Sequence, residues 1–226
     1  MPVVVVFDLD DTLYKEIDYL KSAFHYIAAL VAREEGGEPV GIYERMVCNF
    51  YQGLNVFHLL IDSDAPGFSM DRLMKEYRTH RPQISLHVDT KLTLSVLRQH
   101  EVVMGVVTDG RSIQQRNKIM ALGLERFIPP HHILISEEQG YGKPDKRLFY
   151  HFMEMHPDAA FCYVGDNPAK DFIAPNQLGW TTVCLLDDGR NIHTQDENVP
   201  TDNQAQYTIS RITDLLDILH LPSGIC

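Results

Sequence analysis

Residues 3–13 read VVVVFDLDDTL and place three aspartates directly after a run of five apolar residues. This apolar run, rich in valine, predicts a strand that is buried on both faces, as in a parallel sheet. Residues two apart in an extended chain point to the same side, so Asp8 and Asp10 are expected to share one site. Ligand sites of open α/β sheets lie at the carboxyl ends of the strands, which is where both aspartates fall.

The pairing of Asp8 and Asp10 has a chemical consequence. Two carboxylates this close repel each other unless a cation or a shared proton compensates their charge. Mg²⁺ is a hard cation that prefers such oxygen ligands. An aspartate-rich turn, or Thr12 as a helix cap, is the structural alternative. Paired carboxylates directly after an apolar strand are costly without a use, which favours the functional interpretation.

The order of predicted elements indicates the architecture. Residues 16–87 contain helical patterns and no convincing strand, whereas strands and helices alternate from residue 88 onward. This order predicts an α/β fold, a doubly wound parallel sheet with an all-helical cap inserted after its first strand. The predicted domains are a core of residues 1–14 and 88–226 and a cap of residues 15–87. The cap leaves the sheet at the end that carries Asp8, so we expect it to cover the site as a lid.

Hydrophobic periodicity and turn residues give the individual elements. In the cap, helices are predicted from residue 16 to Gly36-Gly37 and over 42–51, 54–61 and 70–80. In the core, the predicted strands are 102–107, 133–135, 161–164, 180–185 and 207–209, and the predicted helices are 89–99, 112–122, 145–155, 168–178 and 212–219. Asp89 and Asp145 are expected to cap two of these helices. Residues 187–204 are polar and predict a loop.

Two further strand ends carry residues suited to an anion. Thr108 ends a buried strand, Gly110 allows close backbone approach, and the helix that starts near residue 112 offers free N–H groups. Taken without the other motifs, residues 108–110 are explained equally well as an ordinary strand end with no binding role. Pro144 holds Lys143 extended, so its ammonium can be presented to a phosphate. A solvated surface lysine is the commoner explanation of Lys143 taken singly.

The fourth strand end carries another pair of aspartates. Asp166 follows a buried strand, Pro168 suits the first helical position, and Asp171 then falls in the first turn. A metal ligand with a supporting carboxylate needs this arrangement, although the helix dipole also favours aspartates there. Pro175 is expected to shorten or kink the helix downstream without disturbing Asp166. The topology brings one set of side chains to a single sheet edge: Asp8, Asp10, Thr108, Lys143, Asp166 and Asp171.

Together these motifs resemble those of the haloacid dehalogenase superfamily, in its phosphatase branch with a helical cap. Residues 8–13 match the D-x-D-x-T motif, and the three later strand ends match the second, third and fourth motifs in order. Dehalogenases of this superfamily lack the second aspartate, which is Asp10 here. Its sugar phosphomutases usually read D-x-D-G-V, from which residues 11–13 depart. The resemblance is therefore to a phosphatase.

The resemblance implies a role for each matching residue. Asp8 is expected to take the phosphoryl group as an aspartyl-phosphate, and Asp10 to protonate the leaving alcohol and then activate water. The expected phosphate-binding residues are Thr108, Asp109, Gly110 and Lys143. The expected metal site binds Mg²⁺ through Asp8, the carbonyl of Asp10 and Asp166, with Asp171 close by.

The implied function is a Mg²⁺-dependent phosphatase acting on a small phosphorylated metabolite, either a sugar phosphate or a mononucleotide. A sugar phosphomutase, or a non-catalytic binding module on the same scaffold, is the alternative. Tyr14, Lys15 and Glu16 leave the catalytic strand and could contact the leaving group. Five basic residues of the cap are expected to form a solvated helix face. They are Arg72, Lys75, Arg78, His80 and Arg81.

The bulk properties limit the remaining classes. The formal charge of −11 argues against nucleic acid or an anionic membrane as the main partner. No apolar run is long enough to span a bilayer, and the four cysteines form no C-x-x-C pair. Cys162 and Cys184 lie in strand patterns and are expected to be buried thiols, which fits a cytoplasmic protein. Walker A, G-x-S-x-G and zinc-binding patterns are absent, and the oligomeric state is left open.

Overall fold

A computed structural model describes residues 2–196 and 198–222 of the chain. Its centre is a parallel sheet of six strands in the order β3-β2-β1-β4-β5-β6. The strands are β1 (Val3–Phe7), β2 (Val103–Thr108), β3 (Ile133–Ile135), β4 (Ala160–Gly165), β5 (Thr181–Leu185) and β6 (Tyr207–Ile209). The predicted α/β fold with a parallel sheet is confirmed. Residues 223–226 of the predicted core range lie outside the described residues.

Ten α-helices accompany the sheet in the described part of the chain. Four follow β1: α1 (Glu16–Glu35), α2 (Pro39–Tyr51), α3 (Val56–Ser63) and α4 (Met70–Thr79). The others are α5 (Val88–Gln99), α6 (Ser112–Leu122), α7 (Ser136–Gln139), α8 (Arg147–Met155), α9 (Ile173–Gln177) and α10 (Leu215–Ile218). None of the described helices is long and apolar enough to cross a membrane.

The strand order places the crevice of the sheet beside β1. The chain runs outward from β1 through β2 to β3, and then returns to β4 on the other side of β1. In doubly wound sheets, ligands bind at the carboxyl ends of the two strands where the direction of winding reverses. Asp8 follows β1 and Asp166 follows β4, so they flank this crevice. The N–H of Asp8 continues the ladder by donating to the Val164 carbonyl (2.8 Å).

The burial of β1 explains its valine-rich sequence. Val5 and Phe7 pack into the core on one face of the sheet, and Val4 and Val6 pack into the core on the other. All four side chains are fully buried. A strand covered on both faces needs apolar residues at every position, which is the reason for its continuous run.

The helices that follow β1 have a hydrophobic core of their own. Phe24 and Ile27 of α1 pack with Met46 of α2, Leu60 of α3 and Leu73 of α4. This cluster shares no fully buried member with the clusters on the two faces of the sheet. We propose on this basis that residues 15–87 form a cap domain inserted into the core.

Several local predictions differ from the structure. Lys146, not Asp145, holds the N-cap position of α8, and the Asp145 carboxylate accepts from the N–H of Arg147 (2.9 Å). The helix predicted over 212–219 is a 3₁₀ turn at Ile212–Asp214 followed by α10. The predicted helix over 168–178 is shorter, because residues 168–172 form turns and only Ile173–Gln177 is helical. Pro175 lies at the third position of α9, where its missing N–H breaks no helical hydrogen bond. His87, not Asp89, caps α5, and its ring nitrogen accepts from the N–H of Asp89. Helix α7 was not predicted, because four residues are too few for periodicity to register.

Candidate active site

Lys143 links the end of β1 to the motif after β4. Its side chain is inaccessible to solvent, and its Nζ lies 2.9 Å from Asp8 Oδ1 and 2.7 Å from Asp171 Oδ1. The Nζ also donates to the Tyr163 hydroxyl (3.1 Å). Both carboxylates raise the pKa of Lys143 well above its usual value against the effect of burial, so the lysine is charged. Lys143 is thus a fixed cation inside the site and not a solvated surface lysine.

Asp171 supports the turn that carries Asp166. Its Oδ2 accepts from the backbone N–H groups of Asp166 (3.2 Å) and Asn167 (2.9 Å). With Oδ1 paired to Lys143, both of its oxygens have partners. This explains why an aspartate occupies the first turn after Pro168.

Three carboxylates converge at the crevice. One oxygen from each of Asp8, Asp166 and Asp171 lies within 4.8 Å of the other two, and all three residues are buried. Burial raises the pKa of Asp166 to about 8, with the charges of Asp8 and Asp171 adding to the effect. Burial likewise raises the pKa of Asp8 to about 6, although Lys143 opposes the shift. An all-oxygen donor set with this excess of negative charge fits a hard divalent cation such as Mg²⁺.

Asp10 has a different environment from Asp8. Its Oδ1 pairs with the buried Lys118 Nζ (2.7 Å) and accepts from the Tyr14 hydroxyl, and its Oδ2 accepts from Gln115 Nε2 (2.9 Å). Burial alone would raise the pKa of Asp10, but the charge of Lys118 and the hydrogen bonds from Lys118, Tyr14 and Gln115 together outweigh it, and the pKa lies below the usual value. The carboxylate therefore lies apart from the three-carboxylate group and points toward α6. Two neighbouring carboxylates in distinct surroundings can perform two different tasks.

The residues after β2 that were predicted to bind phosphate each contact a different part of the structure. Thr108 is buried beside the crevice and its Oγ1 accepts from Gln115 Nε2 (2.6 Å). The Asp109 carboxylate accepts from the N–H of Lys143 (3.0 Å) and from Lys170 Nζ (3.2 Å). The N–H of Gly110 donates to Ser136 Oγ (2.9 Å). Asp109 thus joins the second and third motifs, while Gly110 adopts a φ of +147°, which favours glycine.

The side chains line a cavity of about 180 Å³ that is partly open to solvent. Of the three residues after the catalytic strand that were expected to contact the leaving group, Glu16 lines this cavity, whereas Tyr14 and Lys15 do not. The basic cap residues predicted as a solvated face are likewise not among its lining residues. The lining residues are Asp8, Asp10, Asp11, Glu16, Thr108, Asp109, Asp166, Asn167, Lys170 and His193.

A loop after β5 closes one side of the site. Asn191 Nδ2 donates to Asp166 Oδ2 (3.3 Å), and Gln195 Nε2 donates to the Asp166 carbonyl (2.7 Å). The N–H of Ile192 donates to Asp11 Oδ2 (3.2 Å), which brings His193 to the cavity. The sequence predicted the loop but not its position, because no motif marks which way a polar loop folds.

Gln115 and Lys118 were also missed from the sequence. They lie three residues apart on α6, so they face the same side of the helix. Both are buried, with exposed fractions of 1% each. Two long polar residues at core-facing positions of a helix directly after Thr108 are a signal that sequence inspection could have used.

Comparison with known proteins agrees with this geometry. The family model for haloacid dehalogenase-like hydrolases matches residues 5–185. The chain belongs to the haloacid dehalogenase-like hydrolase family. Within the family it belongs to the phosphatase branch, because similar curated proteins along most of its length are named as phosphatases.

Two such proteins illustrate the similarity. The chain is 28% identical to a glyceraldehyde 3-phosphate phosphatase of Methanocaldococcus jannaschii, over 95% of the chain and 96% of that protein. It is 26% identical to a ribulose-1,5-bisphosphate 5-phosphatase of Halopiger xanaduensis, over 97% of the chain and 100% of that protein.

Solved structures share the fold. The HAD-hydrolase YfnB of Bacillus subtilis, bound to magnesium, superposes with a TM-score of 0.64 at 21% identity and covers 97% of the chain and 99% of its own length. A HAD phosphatase of Thermococcus onnurineus superposes with a TM-score of 0.60 at 22% identity and covers 97% of the chain and 98% of its own length. These similarities confirm the doubly wound core predicted from the sequence.

Proposed function

We propose that this protein is a Mg²⁺-dependent phosphatase that hydrolyses a small sugar phosphate through an aspartyl-phosphate on Asp8. The observation that carries the proposal is the position of Asp8. Its Oδ1 lies 2.9 Å from the buried Lys143 Nζ, and its carboxylate belongs to the same compact acidic group as Asp166. An anchored carboxylate beside a fixed cation is suited to attack a phosphoryl group.

The residues divide the reaction into two steps. Asp10 must first take up a proton, because its contacts with Lys118, Tyr14 and Gln115 hold its pKa below the usual value. It then donates that proton to the departing alcohol oxygen while Asp8 attacks the phosphorus atom. In the second step Asp10 takes a proton from water, which attacks phosphorus and frees Asp8. Lys143 and the hydroxyl of Thr108 bind the phosphoryl oxygens, whose negative charge is spread in the transition state.

The metal would be held by Asp8, Asp166 and the carbonyl of Asp10. When bound, Mg²⁺ supplies positive charge that neutralises the phosphoryl oxygens. Asp171 is assigned a supporting role, because its carboxylate is already engaged by Lys143 and two backbone N–H groups. This division gives each of the four aspartates a separate task.

The volume of the cavity limits the size of the substrate that it can hold. A volume of about 180 Å³ is below the roughly 300–1,000 Å³ that enclose drug-sized ligands. It suits a phosphoryl group with a few carbons better than a mononucleotide. Similar proteins named for glyceraldehyde 3-phosphate favour a triose phosphate. Their names as phosphatases also favour transfer to water over the return transfer of a phosphomutase.

Release of inorganic phosphate tests this proposal. Purified protein is incubated with glyceraldehyde 3-phosphate, cytidine 5′-monophosphate and an aryl phosphate, each with Mg²⁺ or with EDTA. We expect Mg²⁺-dependent release from the triose phosphate and the aryl phosphate, with kcat/KM for the nucleotide at least about tenfold lower. Activity unaffected by EDTA would contradict the metal requirement, and preference for the nucleotide would contradict the substrate class.

The raised pKa values predict how Mg²⁺ stabilises the protein. Asp166 has a folded-state pKa of about 8 against a usual 3.8, so without metal the folded state binds more protons than the unfolded chain between those values. The free energy of unfolding of the metal-free protein therefore falls as pH rises through this window. Because Mg²⁺ needs deprotonated carboxylates, its effect on Tm should be larger at pH 8 than at pH 6, by about 3 °C or more.

Thermal unfolding with and without Mg²⁺ at both pH values measures this effect. Asp166→Asn should lose the Mg²⁺-dependent rise in Tm at either pH. Asp158→Asn makes the same chemical change at an exposed position and should keep it. Equal shifts at pH 6 and pH 8 in the unmodified protein would show that Mg²⁺ does not bind these carboxylates.

A further inference from the structure

The cavity is strongly acidic. Of the ten described residues that line it, six carry carboxylates, against one lysine and one histidine. The phosphoryl group of a substrate adds further negative charge. Whether the cavity also admits a charged leaving group therefore depends on how well the charge of each carboxylate is neutralised. The carboxylates are those of Asp8, Asp10, Asp11, Glu16, Asp109 and Asp166.

Most of these carboxylates have a dedicated partner. Asp8 is paired with Lys143, Asp10 with Lys118 at 2.7 Å and Asp109 with Lys170 at 3.2 Å. Asp11 accepts from two backbone N–H groups, at 2.9 and 3.2 Å. Lys170, the lysine among the described lining residues, is thus already engaged by Asp109 and is not free to bind a second anion.

Glu16 is the least compensated carboxylate on the leaving-group side. It shares Lys118 with Asp10 and lies at the longer distance, 3.5 Å against 2.7 Å. Its side chain is 20% exposed and lines the cavity from the first turn of α1, whereas the phosphoryl-binding groups lie on the sheet edge. Burial and the neighbouring charge of Asp10 raise the pKa of Glu16 to about 7, so its side chain is mostly ionised at pH 8. At that pH a leaving group that departs past Asp10 meets the charge of Glu16.

The basic residues of the cap lie elsewhere. Arg72 is paired with Glu34 at 2.7 Å. His80 is buried against Tyr19 and Tyr77. Arg81 lines a separate surface pocket with Asn117. These side chains do not offer a positive charge to a substrate in the cavity.

We infer that Glu16 is a specificity-determining residue, which restricts the enzyme to monophosphate esters whose leaving group is uncharged and excludes those with a second phosphate or a carboxylate. This inference rests on the proposed function and narrows it. Like charges a few ångströms apart in a partly buried site repel strongly, which makes one charge on the leaving group decisive. Neutral hydroxyl and aldehyde groups of a small sugar meet no such barrier.

A matched pair of substrates tests the inference. Glyceraldehyde 3-phosphate and 3-phosphoglycerate share a carbon skeleton and differ in an aldehyde against a carboxylate. At pH 8 with Mg²⁺, we expect kcat/KM to favour the aldehyde by at least about tenfold. In Glu16→Gln, which keeps the size and hydrogen-bonding capacity of the side chain, this ratio should narrow by about fivefold or more.

The control variant is Glu154→Gln, which removes the same charge from an exposed position on α8. Its substrate ratio should equal that of the unmodified enzyme, so a general effect of net charge is separated from a local one. Equal use of both substrates, or an unchanged ratio in Glu16→Gln, would overturn the inference while leaving the phosphatase intact. Failure to hydrolyse either substrate or an aryl phosphate would instead overturn the proposed function.

Discussion

Asp8→Asn is expected to lower kcat by about 10⁴-fold or more, because an amide cannot attack phosphorus to form the acyl phosphate. The substitution is nearly isosteric, so the effect is chemical and not a consequence of lost packing. Burial holds the pKa of the Asp8 carboxyl at about 6, above its usual 3.8. Its ionised form therefore destabilises the metal-free fold above that pH. Lys143 keeps Asp171 as its ion-pair partner at 2.7 Å, so it is not left as an unpaired buried charge. At pH 8 without metal, the variant should therefore be as stable as the unmodified protein or more stable.

Steady-state hydrolysis of an aryl phosphate and chemical denaturation measure these two effects together. The combination of lost activity with unchanged or increased stability is the mark of a residue selected for chemistry. Asp158→Asn provides the exposed counterpart and should alter neither quantity. Activity of Asp8→Asn within tenfold of the unmodified enzyme would exclude Asp8 as the nucleophile.

Lys143→Met is expected to lower both activity and stability. Removing Nζ leaves Asp8 and Asp171 as buried carboxylates without their shared cation. Loss of one partner of a buried ion pair typically costs about 3–5 kcal/mol of the free energy of unfolding. Phosphoryl transfer should fall as well, because the cation that we propose to bind the phosphoryl oxygens is absent.

A second substitution separates these two effects. Adding Asp171→Asn to Lys143→Met removes one of the uncompensated charges and should recover part of the stability, but none of the activity. The matched control is Lys91→Met, at an exposed position on α5, which should leave both unchanged. If Lys143→Met were as stable as the unmodified protein, the ion network would not support the fold as described.

Much of the fold was predictable because local signals and topology agree. The apolar run of β1 indicates burial on both faces, and the alternation of strands and helices from residue 88 fixes a parallel sheet. Cys162 and Cys184 are buried free thiols, as their strand patterns predicted. The convergence of Asp8, Lys143, Asp166 and Asp171 follows from the rule that parallel strands end at one edge.

The contacts around Asp10 could not be predicted in the same way. Lys118 reaches Asp10 from a helix more than a hundred residues later in the chain, and the pairing depends on how α6 packs on the sheet. The loop after β5 has no periodicity, and the placement of His193 depends on hydrogen bonds to Asp11 and Asp166. Such contacts are set by tertiary packing, which short-range patterns do not encode.

Chemical trapping shows directly whether Asp8 carries the phosphoryl group during turnover. The protein is quenched with acid during turnover of glyceraldehyde 3-phosphate, treated with borohydride, digested and analysed by mass spectrometry. Borohydride reduces an aspartyl-phosphate to homoserine, so we expect homoserine at position 8 and nowhere else, and none in Asp8→Asn. Unmodified Asp8 in an enzyme quenched while it releases phosphate, or homoserine at another aspartate, would contradict the proposed role of Asp8.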